Sequence, residues 1–295
     1  MGQAVETSNS MTAGAAHRAH AGDATLVHIR TRGRWVPLDL REIWHYRELM
    51  WFLVWREVKV RYKQTALGVA WAVLQPVLSM LVFTLVFARL AHVPTGGVPY
   101  PIFAYCGLLP WQLFAFSLSE SSMSVVANER LISKVYFPRI MVPIAAACAG
   151  LVDMAVSFIV LMGLFAWYGI VPGKAIVALP LLLIMALATA LAVGIWMAAL
   201  NVEYRDVRYV LPFVTQFWLF ATPVAYPASL VPQRWRLLYG MNPMTGVIEG
   251  FRWSLLGGGN APGMLVAVSG TIVVLLLIGG LYYFRSVERT FADVV

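Results

Sequence analysis

The sequence predicts an all-α integral membrane protein with six transmembrane helices, an N-terminal interfacial amphipathic helix and a re-entrant pair of short outer helices. Three observations predict it. Hydrophobic residues make up 60% of the 295 and charged residues 12%, with a mean hydropathy of +0.73, a composition that needs lipid as solvent. Uncharged runs of bilayer length recur along the chain, where a Lys, Arg or Asp at mid-membrane costs ~2.5 to 3.5 kcal/mol on insertion scales. Basic residues are also unevenly spread, with ten of the 22 Lys and Arg residues before Gln64.

Residues 1–34 are polar and low in complexity and read as a disordered cytoplasmic tail. The first 25 residues show no apolar h-region, so no cleavable signal is expected. Residues 35–63 interleave Trp44, Trp51, Phe52 and Trp55 with Arg47, Arg56, Lys59, Arg61 and Lys63. That mixture suits a helix in the membrane interface, with rings in the headgroup layer and cations toward phosphates.

The membrane domain is expected over 64–284. Its spans are predicted at about 64–88, 100–126, 140–170, 175–202, 209–228 and 263–284, each long enough at ~1.5 Å per residue for a ~30 Å core or close to it. Between the second and third spans, residues 127–139 carry Leu131, Ile132, Val135, Tyr136 and Phe137 among charges. Apolar side chains on a short helix outside the bilayer predict a docking surface for a partner. Residues 230–259 are too charged to cross yet rich in Trp, Leu, Tyr and Phe, and Asn242–Pro243 breaks them. They are expected to form a re-entrant pair of half-helices, with backbone groups satisfied by protein or water. Residues 285–295 form a second cytoplasmic tail.

With the N-terminus inside, 17 basic residues face the cytoplasm and five (Arg89, Lys174, Arg234, Arg236 and Arg252) lie outside. Both termini are therefore expected to be cytoplasmic. The net charge of +8 reflects this topology rather than a nucleic-acid partner. Cys106 and Cys148 sit in apolar runs and suggest no disulfide.

Catalytic signals are sparse. Glu120 and Asp153 are the acids within spans, on different helices, and all five histidines lie outside the spans. No metal-ligand spacing occurs, so no bound metal or cofactor is expected. Asp153 is read first as an acid satisfied by neighbouring helices. The run Gly169–Ala175 has one residue too few between its glycines for a phosphate loop and no Ser or Thr after Lys174. Phe213, Gln216, Phe217 and Phe220 follow i, i+3, i+4, i+7 spacing and are predicted on one helix face, either as packing or as a surface for sugar rings. Ser117, Ser121 and Ser124 share a face that allows close helix approach.

Four ordered segments carry a family resemblance: WREVKVRYKQTALGVAWAVLQP (55–76), GLLPWQLFAFSLSESSMSVVANERLISKVYFPR (107–139), NVEYRDVRYVLPFVTQFWLFATPVAYP (201–227) and YGMNPMTGVIEGFRWSLLG (239–257). Together they resemble the permease subunit of bacterial ABC transporters that export lipid-linked polysaccharides, the O-antigen and teichoic-acid exporter family. The resemblance implies a multi-pass protein of the bacterial inner membrane. It further implies a homodimer of permeases with two separate ATP-binding subunits, which bind ATP and Mg, and a polyprenyl-pyrophosphate-linked glycan as cargo. It places Arg56, Lys59, Arg61, Tyr62 and Lys63 where substrate pyrophosphate meets the membrane surface. It makes 127–139 a coupling helix, with Arg130, Leu131, Lys134, Tyr136, Phe137 and Pro138 seated on the ATPase. It assigns Asn242, Pro243, Glu249 and Arg252 to outer gate helices within 230–259, the last two at a spacing that permits an ion pair. Trp71, Phe83, Phe87, Phe213, Gln216, Phe217 and Phe220 would line the channel. Two other classes stay open from residues alone: a membrane-embedded enzyme of lipid-linked glycan assembly, and an ion-driven transporter.

Overall fold

The computed structural model describes residues 44–63, 68–257 and 261–288. The expected tail 1–34, residues 35–43 of the interfacial segment and 289–295 of the C-terminal tail lie outside the described residues. Among the described residues all regular structure is helical: α1 (Arg47–Lys63), α2 (Val69–Phe83, continuing as a π-helix over Thr84–Leu90), α3 (Tyr100–Ala127), α4 (Glu129–Lys134), α5 (Met141–Tyr168), α6 (Leu179–Glu203), α7 (Val207–Ala221), α8 (Gln233–Gly240), α9 (Pro243–Leu256) and α10 (Gly263–Val287).

Among the described residues, five stretches are long and apolar enough to cross a membrane: Ala70–Leu90, Tyr100–Ala127, Met141–Tyr168, Lys174–Glu203 and Gly263–Val287. The segment expected as the fifth span, 209–228, differs. Its helix α7 has 15 residues, about 22 Å, and stops at Ala221. Pro223 and Pro227 cannot donate to a continuing ladder, and each disfavours α geometry in the residue before it.

The core is organised on α3, which packs against α2, α5, α6 and α9. Its contact with α6 depends on small residues: a Cβ on Gly194 would lie 2.7 Å from the Ser121 hydroxyl. On its α5 side, Ser117 donates to the Ala147 carbonyl at 2.8 Å. The serine face of α3 is thus helix packing. At the far end of α5, Gly169 takes a left-handed φ of 66°, and the amide of Ile170 reaches back to the Phe165 carbonyl at 3.0 Å, closing the helix.

Helix α1 packs along α5. Arg56 donates to Asn128 at the C-terminal end of α3, while Arg61, five residues on, stacks over Phe116, 4.1 Å from the ring centroid. Phe116 lies 12 positions before Asn128, about 18 Å back along α3. The contacts of α1 therefore advance from the bundle end toward mid-depth. Leu53 and Val58 point inward while Trp51, Phe52, Trp55 and Val60 are exposed, so apolar side chains occupy more than one side of the helix.

Candidate functional site

A cavity of about 640 Å³ opens between α2, α3, α5 and α7, closed at one point by Arg61 of α1. Its lining alternates rings with neutral polar groups: Trp71, Gln75, Phe83, Gln112, Thr215 and Gln216 are among them. Among the described residues, its charged lining groups are Arg61 and Asp153. These form an ion pair at 2.7 Å, with Arg61 38% and Asp153 19% exposed. The Tyr62 hydroxyl donates to the same carboxylate. Burial, reinforced by Asp153, pushes the Tyr62 phenol up to about 12, so it stays a proton donor at neutral pH.

The other cations of α1 go elsewhere. Arg56 donates to Glu57 at 2.5 Å and to the Asn128 side chain. Lys59 sits over the Trp55 ring, 5.5 Å from its centroid, and Lys63 is exposed. Of the five residues expected at the pyrophosphate, only Arg61 and Tyr62 are brought together on one acceptor.

Of the expected channel aromatics, Trp71 and Phe83 line the cavity. Phe87 packs edge-on against Phe83 at 5.5 Å and joins a small cluster with Tyr100 and Phe103. Phe213, Gln216, Phe217 and Phe220 are all exposed on α7, and of the four Gln216 also borders the cavity. The cavity side of α7 is Leu211, Pro212, Thr215, Gln216 and Leu219, whereas Phe213, Phe217 and Phe220 are all exposed. At 100° per residue Gln216 lies beside the aromatic sector, and its side chain turns to the polar wall. In the single chain the three phenylalanines face away from the cavity.

The segment 127–139 was expected to be one helix. Helical geometry is confined to Glu129–Lys134 and Val135 is extended; Pro138 keeps its predecessor Phe137 out of α space, so the helix does not resume there. Alternation then splits the apolar residues. Ile132 and Phe137 are buried in a cluster with Leu53, Met141, Ile195 and Phe284, while Val135 and Tyr136 are exposed, Tyr136 at 85%. Pro138 is buried, Leu131 half-buried, and Arg130 and Lys134 are exposed. Phe137 is therefore a core residue and Tyr136 a surface one. Arg139 ties this segment to the end of α10, donating from its side chain to the Glu288 carbonyl.

Between α7 and α9 lies a heavily bonded cation. Arg252, 5% exposed, pairs with Glu249 at 3.1 Å and stacks over Phe103, 3.7 Å from the centroid. It donates to the carbonyls of Phe103 (3.4 Å), Pro223 (2.6 Å), Tyr226 (3.2 Å) and Val224 (2.5 Å). Glu249 also accepts from the Ala228 amide at 3.1 Å. The two residues fasten the turn that follows α7. Room for them comes from Gly107: a Cβ there would meet the Arg252 guanidinium at 2.8 Å. Asn242 caps α9 by accepting from the Met244 amide at 3.1 Å, with Pro243 in the first helical turn where no amide is needed. The same Asn242 oxygen accepts from the Trp218 indole at 3.0 Å, and its amide donates to Thr222 at 2.9 Å.

Sequence reasoning placed Arg61 and Tyr62 with substrate and treated Asp153 separately; their meeting spans some ninety positions and has no local signal. The Arg56–Asn128 contact and the carbonyl cage of Arg252 were missed for the same reason. Among the described residues no group of three or more His, Cys, Asp or Glu could hold a metal ion.

Comparison with known proteins bears on what such a site serves. A family model described as ABC-2 type transporter matches residues 48–256. The chain is 32% identical over 216 residues to an O-antigen export system permease protein RfbA of Myxococcus xanthus, covering 72% of this chain and 82% of that one. A protein of the same name from Klebsiella pneumoniae is 27% identical over 242 residues, 81% and 92% of the two chains. The polysialic acid transport protein KpsM of Escherichia coli is 24% identical over 236 residues, 79% and 91%.

Proposed function

Because this chain belongs to the ABC-2 type transporter family, we propose that it is the membrane-spanning subunit of an ATP-driven exporter that carries a polyprenyl-pyrophosphate-linked polysaccharide outward across the inner membrane. The observation that carries the reading is the match, over 72% to 81% of this chain, to permeases named for O-antigen export and polysialic acid transport. The ring-and-amide lining of the cavity supports it, since sugars stack on rings and hydrogen-bond to neutral polar groups.

In this reading the chain crosses six times, with α7 and the turn after it completing the fifth crossing, and both termini are cytoplasmic. Helices α8 and α9 form the outer gate pair, with Asn242, Pro243, Glu249 and Arg252 fixing its base. Two copies work with two ATP-binding subunits, which bind ATP and Mg and hydrolyse the nucleotide. Segment α4, with Arg130, Leu131, Lys134 and Tyr136 presented outward, receives the ATPase stroke. It passes that stroke directly into α3 and α5, which it joins, and into α1 through Arg56 and Asn128. Lys59 and Lys63 add positive potential near the cavity mouth. The exposed Phe213, Phe217 and Phe220 become channel wall when the second copy is opposite them.

The test is to tag the chain, purify it from its own membrane in mild detergent and identify its companions. An equimolar soluble ATP-binding protein with nucleotide hydrolysis is the expected result. Recovery of the chain alone, or with a glycosyltransferase in place of an ATPase, overturns the reading.

A further inference from the structure

We propose that Asp153 is a resident counter-anion. It holds Arg61 in the empty cavity, is displaced when the pyrophosphate of a lipid-linked cargo arrives, and recaptures Arg61 so that the cargo can leave. This rests on the reading that the cargo carries pyrophosphate.

The argument begins with where Arg61 sits. Its ring partner Phe116 lies eleven residues, about 16 Å, inside the end of α3 at Ala127. A guanidinium facing a cavity attracts an anion, and a cation kept ready for an anionic cargo is therefore held by one until the cargo arrives. Asp153 supplies it at 2.7 Å. The pair faces the 640 Å³ cavity rather than packed protein, and both members are partly exposed. An incoming group can therefore reach the guanidinium without unfolding anything.

The chemistry of exchange favours the visitor and keeps it reversible. A pyrophosphate offers more charge and more acceptor oxygens than one carboxylate, and matches the guanidinium fork in two-point geometry. The displaced carboxylate keeps the Tyr62 hydroxyl as donor, which anchors it beside Arg61. It also stays close enough to repel the bound anion and compete for Arg61. The other charge clusters lack this arrangement: Arg252 is sealed in a carbonyl cage, and Arg56 faces the helix junction at Asn128.

The experiment uses the full chain with its co-purifying partner in phosphatidylcholine nanodiscs. It measures binding of farnesyl pyrophosphate, with farnesol and phosphatidylglycerol as comparisons. Asp153→Asn, which removes the competitor, should tighten farnesyl pyrophosphate binding about tenfold while slowing glycan export. Arg61→Gln should weaken binding by at least as much, and the double variant should behave like Arg61→Gln. Tyr62→Phe, a milder change that loosens the carboxylate, should tighten binding about threefold and serves if Asp153→Asn does not fold. Weakened binding in Arg61→Gln with no tightening in Asp153→Asn or Tyr62→Phe overturns the counter-anion role alone. Unchanged binding in Arg61→Gln, or equal binding of farnesol, overturns the pyrophosphate reading on which it rests. Variant-dependent binding of phosphatidylglycerol with no response to farnesyl pyrophosphate assigns the site to a bilayer headgroup and overturns the proposal.

Discussion

Arg61 and Arg252 have the same chemical partners and different fates. Each meets a carboxylate, Asp153 at 2.7 Å and Glu249 at 3.1 Å, and each lies over a phenylalanine of α3, Phe116 and Phe103. Those rings are 13 positions apart, about 20 Å along one helix. The difference is what surrounds the pair. Arg252 is buried and caged by four backbone carbonyls, three from the turn after α7, where a broken helix leaves carbonyls without amide partners. Arg61 is 38% exposed on a cavity. An arginine whose acceptors are fixed backbone is a fastening, whereas one facing an open cavity across a carboxylate can change partners. The ion pair alone does not distinguish the two; solvent access does.

The largest effect that sharpens this contrast is expected at Arg252. Arg252→Met removes the buried cation from its carbonyl cage, leaving four carbonyls without their donor and the half-buried Glu249 without its partner, a loss of about 3 kcal/mol by analogy with broken buried pairs. Thermal unfolding in detergent should show a much lower midpoint or a failure to accumulate folded protein. The Arg61–Asp153 pair, by contrast, is solvent-screened and contributes about 1 kcal/mol or less. A midpoint for Arg252→Met no lower than that of Arg61→Gln would break the comparison between fastening and exchangeable cation.

The next effect separates two adjacent residues of the segment proposed to meet the ATPase. Phe137 is 6% exposed and joins the core cluster, so Phe137→Ala should cost about 3 kcal/mol through an internal cavity. Tyr136 is 85% exposed, so Tyr136→Ala should leave stability within about 0.5 kcal/mol and lower export per ATP hydrolysed. Assaying the two singly matters, because a joint replacement confuses lost coupling with lost folding. Equal destabilisation by the two variants would show that the alternation at Pro138 does not divide them as described.

What could be read from the sequence was set by solvent and local geometry. Long uncharged runs announce membrane helices because every backbone group must be satisfied within the segment, and five stretches among the described residues carry helices of that length. The proline-terminated α7 shows the limit: composition counted apolar residues through 228 but did not register that Pro223 and Pro227 end the helix. The orientation of Gln216 and the inward turn of Phe137 depend on which neighbour supplies a polar or apolar surface, which a single-chain periodicity cannot state. The candidate site was legible in one half only. Arg61 and Tyr62 stood out as a basic cluster with an aromatic, but their acceptor Asp153 lies on another helix, and only packing reveals it.

The smallest expected effect concerns that same acceptor. The Tyr62 phenol has an ordinary value of 10.0 and is raised to about 12 in the folded chain, first by burial and then by Asp153. A raised value means the folded state holds the proton more tightly, so the contribution to stability is complete below pH 10 and declines as pH rises through about 12. Between pH 6 and pH 9 the stability difference between the wild-type chain and Tyr62→Phe should therefore be constant, and it should shrink above pH 10. Following the two melting midpoints across that range checks the hydrogen bond to Asp153 without a ligand. A difference that changes below pH 9 would mean that another titrating group, rather than the phenol, governs the contact, and the arginine at the cavity would then be held by something more than this carboxylate and its tyrosine.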